Sequence, residues 1–395
     1  MTFPAKRARD WRLDFFRGMA LIFIFLDHVP QNFLSYFTLK SFAFCDAAEV
    51  FIFISGYAAA MVYSQSFSKS GALYGSARIY KRVWQLYVAH LCLFMIYSAE
   101  VSYTVLRFNN PLFADELHVG DFLEEPDIAI IKALILQFQP TFLDILPLYI
   151  SLLAVFPFFL LLLRRNIWLL LVPSFGFYLA ANLWGLNIPA YPKGRSWFFD
   201  PFAWQFLFAI GAVFGAARAE GRSLLPNSRW LTSLALVIAV VGGAIQITWV
   251  LHGLYDPIPA VLQRTLTPID KTTLQPIRLI NFLALAVLVA RLVKPHARFL
   301  TSRFAWPAIL CGQSSLEVFC LSILLSVSGG FIGTELGHGV TIQLAMDVFG
   351  VSAMVGLGTL IAWFRNGGRL PERPRATDGV LPSNKSDTAR LGASR

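Results

Sequence analysis

Residues 9–30 read RDWRLDFFRGMALIFIFLDHVP. Arg17, Leu21, Ile24 and His28 follow the 4-3-4 spacing of one helical face. At about 1.5 Å of rise per residue, His28 sits about 16 Å along the axis from Arg17. The segment is predicted to be a membrane helix, with a guanidinium at one boundary and an imidazole deep in the bilayer or in its outer half. Pro30 disfavours helix at Val29, so His28 is placed near a helix end. The basic start followed by an apolar run imitates a secretory leader. Asp27 and His28 interrupt that run and no small-residue cleavage site follows, so the helix is expected to stay in the membrane.

The remaining sequence extends this reading. Of 395 residues, 56% are hydrophobic, 15% aromatic and only 14% charged, against roughly 25% charged in a soluble domain. Mean hydropathy is +0.60. So much apolar surface excludes a soluble enzyme, a disordered chain and a nucleic-acid-binding module. A membrane helix needs about 20 mostly apolar residues. Ten such runs occur, at 15–37, 46–64, 83–105, 143–163, 167–185, 201–217, 230–251, 279–293, 305–328 and 340–364. With the N-terminus cytoplasmic, 25 of the 33 Lys and Arg fall on the inside and eight outside, the bias that sets membrane orientation.

The expected fold is therefore an all-α polytopic membrane protein of about ten transmembrane helices with both termini cytoplasmic. Residues 1–366 form a single transmembrane domain, and 367–395 a disordered cytoplasmic tail. In the outer loops, 128–138 is expected as a short interfacial helix and the proline-containing 252–278 as irregular structure. The cysteines show no metal-ligand spacing.

Polar residues inside the runs are functional candidates, because the bilayer makes them costly. Glu49 opens the second run at a level comparable with His28. It is expected to orient the imidazole better than Asp27, which points about 100° away on the helix. Glu49, Glu100, Asp144, Glu317 and Asp347 all fall in the outer halves of their runs, the pattern of an outward-opening polar chamber. Gln313 and Glu317 share a face of the ninth run. Tyr87 and His90 share a face of the third, and Arg82 with Arg12 and Arg17 forms a basic inner edge suited to phosphates. The outer segment 191–205 interleaves Trp197 and Trp204 with Asp200 and Gln205, as a sugar-stacking surface or an interfacial aromatic belt would.

The stretches 9–30, DAAEVFIFISGYAAAMVY (46–63), RVWQLYVAHL (82–91), DILPLYISLL (144–153), DPFAWQFLFAIGA (200–212) and GQSSLEVF (312–319) resemble the OpgC family, which modifies osmoregulated periplasmic glucans. That family is similar in turn to the acyltransferase-3 superfamily, where an Arg-Gly pair precedes an intramembrane His. Arg17-Gly18 and His28 match that pattern. The resemblance implies an acyltransferase-3-like bundle of ten helices in the bacterial inner membrane. It implies a cytoplasmic acyl-CoA donor (succinyl-CoA in the named family), no permanently bound cofactor or metal, and a periplasmic glucan or other glycan acceptor. The partners are then the lipid bilayer and that glycan, with no nucleic acid.

On this reading His28 acts as general base or carries the acyl group transiently, with Glu49 and Asp27 beside it. Arg12, Arg17, Arg82, Tyr87 and His90 serve the donor. Asp144, Trp197, Trp204, Gln205, Gln313 and Glu317 face the acceptor. His90 competes with His28 for the role of base, and the donor needs no moving gate. A transporter or flippase of a small anionic or glycan substrate would share the buried charges and the Pro-containing helices.

Overall fold

The computed structural model describes residues 9–108, 112–250, 269–295, 297–371 and 373. The N-terminal basic residues Lys6 and Arg7, the stretch 252–268 and most of the tail lie outside the described residues. Helix α1 spans Trp11–His28, its first turn capped by the Asp10 carboxylate, which accepts from the Arg12 N–H. It stops at His28, and Val29-Pro30 turns the chain into two short 3₁₀ segments at Phe33–Phe37 and Leu39–Ser41. The first apolar run thus ends nine residues earlier than its hydropathy suggests.

Helix α2 runs over Ala47–Phe108, 62 residues with a non-helical break at Gly71 (φ 83°). A straight helix of that length would measure about 93 Å, three times the hydrocarbon core. Instead it doubles back. The Phe67 ring packs on Gly75 and the Arg78 guanidinium donates to the Ser66 hydroxyl. Two arms result, one either side of Gly71, where the absent Cβ permits positive φ.

Short helices α3 (Leu112–Glu116), α4 (Gly120–Glu124) and α5 (Pro126–Leu134) follow. Then come α6 (Ile145–Arg165), α7 (Ile167–Trp184), α8 (Pro201–Ala219), α9 (Arg229–Val250) and α10 (Pro276–Leu292). The chain closes with α11 (Ala305–Gln313), α12 (Ser315–Leu336) and α13 (Val340–Arg365). Among the described residues, seven helices are long and apolar enough to cross a membrane: α2, α6, α7, α8, α9, α12 and α13. Helix α1 is more charged and α10 shorter than these; the expected ten crossings come out only with both of them and both arms of α2.

The ninth run differs most. A break at Ser314 divides it, and α11 is too short to span. It crosses α1 at van der Waals closeness: a Cβ on Gly18 would lie 1.7 Å from the Ala308 carbonyl oxygen, and one on Gly312 1.8 Å from that of Asp14. The glycine of the Arg17-Gly18 pair therefore serves backbone approach. It seats the α11–α12 break beside the basic end of α1. A second close crossing joins the first arm of α2 to α8, where Gly211 and Gly215 meet the Phe53 and Tyr57 carbonyls, the small-residue packing of membrane helices.

Candidate active site

Two cavities lie along α1. The larger, termed outer after the orientation expected from the sequence, is about 730 Å³ and takes its lining from α1 (Ile24, Asp27, His28), the start of α2, the 135–145 segment, the 190–199 segment and Lys271. The inner one, about 150 Å³, is lined by Arg17, Ser55, Tyr63, Arg82, Tyr149 and Ser315 among others. Phe319 lines both. It is 2% exposed and packs at 6.3 Å, centroid to centroid, on Phe51, which in turn meets Tyr149 edge-on. Phe319 thus stands between the two cavities, where the sequence reading expected a donor path with no moving gate.

His28 stands in the outer cavity at the last residue of α1. The Phe142 ring stacks on it with centroids 4.2 Å apart and planes 30° apart. Phe142 holds φ 72°, a strained conformation for a bulky residue and one that persists only where its surroundings impose it. The His28 Nδ1 is buried without a hydrogen-bond partner. Asp27 lines the same cavity and is engaged by Thr38 Oγ1 at 2.7 Å and Lys40 Nζ at 3.2 Å. Asp144, two residues after Phe142, lines it with no cation paired to it among the described residues.

Glu49 does not orient His28. It is fully buried and paired with Arg278, whose Nε donates to Oε1 at 2.7 Å, while Oε2 accepts from the Asp46 N–H at 2.9 Å. Asp46 joins Arg278 at 3.2 Å to Lys271 at 2.7 Å. This network fixes one wall of the cavity. Lys271 is presented by a turn in which Asp270 accepts from the Thr272 and Thr273 N–H groups. Burial raises the Asp270 carboxyl, but these bonds outweigh it and hold the group below its ordinary value.

Trp204 and Gln205 belong to the scaffold. Trp204 is fully buried, and its Nε1 donates to the Lys271 and Thr272 carbonyls, so it positions Lys271 and offers no stacking face. Gln205 joins α8 to α7 through Ser174. Trp197 does line the outer cavity, but at 4% exposure its ring faces are covered. His118, also on this lining, hydrogen-bonds Thr141 at 2.7 Å; desolvation, then the Arg195 charge, lower its pKa.

Gln313 and Glu317 stand at the opposite end from His28. The Arg365 guanidinium reaches the Gln313 carbonyl at 3.0 Å and Glu317 at 3.6 Å. The break at Ser314 puts Glu317 in the first turn of α12, so the depth counted from residue 305 does not apply. Among the donor candidates, Arg17 and Arg82 share the inner cavity. Arg12 is held by Asp10 and the Val293 carbonyl. Tyr87 donates to the Leu134 carbonyl at 2.7 Å, which ties α5 against the second arm of α2. His90 is fully buried, lines neither cavity, and leaves both ring nitrogens without a partner.

A family model described as OpgC protein matches residues 9–366. The chain belongs to the OpgC family. Comparison with curated proteins and with solved structures returned no match. OpgC membership points to glucan modification and a transferase role, and the apolar helices make the chain a multi-pass membrane protein. Sequence reasoning missed Phe142, Phe319 and Lys271 of this OpgC chain. Phe142 and Phe319 are two of 36 phenylalanines, with nothing in their neighbours to single them out.

Proposed function

We propose that this OpgC chain is an inner-membrane O-acyltransferase that moves a succinyl group from cytoplasmic succinyl-CoA to a hydroxyl of a periplasmic glucan or related glycan. The observation that carries this reading is the pair of cavities on one helix: Arg17 in the small one, His28 in the large one, and Phe319 between them. Arginines 17, 82 and 365 gather at the inner end, as a cytoplasmic face requires. A cavity of about 150 Å³ holds only part of a pantetheine arm and no nucleotide, which stays at the basic rim. The arm needs to reach about 16 Å from Arg17 to present its thioester to His28. The outer cavity is of the size that holds small ligands, roughly 300–1,000 Å³.

In the transfer step His28 takes the proton of the glycan hydroxyl. The oxygen bonds to the thioester carbonyl carbon and the C–S bond breaks. The CoA thiolate then takes the proton from the imidazolium, and the ring returns to its neutral form. Purified protein given succinyl-CoA and periplasmic glucan should release free thiol in step with succinyl groups appearing on the glucan by mass spectrometry. Movement of glycan across proteoliposomes with no thiol release would replace this reading with transport.

Passage of the arm requires Phe319 to swing aside. Phe319→Trp overfills that position, and strain of about 1–3 kcal/mol on the open state corresponds to a loss of transfer of roughly 5- to 150-fold. Phe319→Ala should keep transfer. Transfer at the parental rate by folded Phe319→Trp protein would show that the donor takes another path.

A further inference from the structure

Two polar atoms in the outer cavity wall have no role in the transfer step. Gln139 Oε1 and Trp197 Nε1 are both buried without a hydrogen-bond partner, and both residues line the cavity. A buried polar group left unpaired is costly and calls for an explanation. Their chemistry is fixed. The indole N–H can only donate. Gln139 Nε2 donates to the Leu136 carbonyl at 2.8 Å, so the opposite end of the amide is its oxygen, which can only accept.

The backbone holds both side chains in place. The Tyr191 N–H donates to the Gln137 carbonyl at 2.9 Å and joins the two outer segments. The Trp197 N–H donates to the Ile188 carbonyl at 3.0 Å within the second of them. The cavity wall thus holds an unpartnered donor and an unpartnered acceptor on two segments tied to each other.

We infer that Gln139 and Trp197 form a hydroxyl-reading pair for a neutral polyol, one sugar hydroxyl accepting from the Trp197 N–H and another donating to Gln139 Oε1. A carboxylate could accept from Trp197 but has nothing to donate to Gln139. An ammonium could donate but not accept. Hydroxyls do both. Both lysines of this wall are already paired, Lys40 with Asp27 at 3.2 Å and Lys271 with Asp46 at 2.7 Å, and the remaining charged groups of the lining, Arg195 and Asp144, are of opposite sign. The inference rests on the outer cavity being the acceptor side, and it adds the residues that select the acceptor.

The test measures binding of a short glucose oligosaccharide and its monodeoxy analogues to the full chain in detergent, with no acyl donor present. Trp197→Phe removes the N–H together with part of the ring, and Gln139→Met removes the acceptor together with the Nε2 bond to the Leu136 carbonyl, so the pattern over the analogues is the deciding readout. Each should weaken the parent oligosaccharide about tenfold, the effect of one lost hydrogen bond. Each should also abolish discrimination against one particular deoxy analogue, which a merely structural residue would not do. Parental affinity in both variants, or losses equal for every analogue, overturns the pair. Absence of oligosaccharide binding by the unmodified protein overturns it together with the acceptor-side assignment. Intact, variant-sensitive binding in a protein that consumes no acyl-CoA would sink the acyltransferase reading and leave the pair standing.

Discussion

His28→Ala should lower succinyl transfer by about 10²- to 10⁴-fold, the usual contribution of a positioned general base, with the folded protein and its membrane level unchanged. The reason for a folded variant lies in the site. His28 is the last residue of α1, and among the described residues its Nδ1 holds no hydrogen bond and its ring stacks on Phe142. Removing the ring therefore breaks no hydrogen bond at Nδ1. His90→Ala separates the two candidate bases. That ring lines neither cavity, so its loss should affect stability and leave the transfer rate per folded molecule near the parental value. Full activity in folded His28→Ala protein, or a dead but stable His90→Ala, would reverse the assignment. The measurement is thiol release per folded protein, with folding followed by thermal unfolding in detergent.

The fold was legible because the bilayer enforces it. Apolar runs report length directly, and each expected run overlaps a helix, although the first outlasts α1 and the ninth is shared by α11 and α12. What hydropathy could not report is the break at Ser314, because 305–328 stays apolar straight through it. That one break moved Gln313 and Glu317 from one end of the bundle to the other. Helix spacing placed Arg17 and His28 on a common line, and the two cavities lie on that line. Depth alone failed for Glu49. It lies at the right level but its partner sits 229 residues away, in the helix that begins Pro276-Ile-Arg278.

A signal for that partner was present. Lys40, Lys271 and Arg278 are exceptions to the inside bias of basic residues, and each is paired with Asp27, Asp46 or Glu49. Outer-face cations in a membrane chain are worth reading as counter-ions of buried acids, since they gain nothing from the cytoplasmic bias.

Arg278→Ala should be the most destabilising of the substitutions considered, by about 3–5 kcal/mol, because it strands a buried carboxylate. Glu49 is 0% exposed and Arg278 9%, so water can replace little of what the guanidinium supplies. Glu49→Gln should cost less. The neutral amide keeps an oxygen for the Asp46 N–H, and Arg278 retains Asp46 at 3.2 Å. Replacing both partners by apolar residues of similar volume, Glu49→Leu with Arg278→Met, should recover much of the loss, as such swaps do when a buried pair is removed whole. Transfer per folded molecule decides between the two roles of Glu49. As a wall-fixing residue, Glu49→Gln lowers the unfolding temperature and only modestly lowers the rate. As an orienter of His28 it would leave unfolding unchanged and cut the rate by orders of magnitude, and the folded double variant would be inactive. An Arg278→Ala protein that unfolds at the parental temperature would refute the ion-pair account, since among the described residues Arg278 alone reaches the Glu49 Oε1 within hydrogen-bond distance.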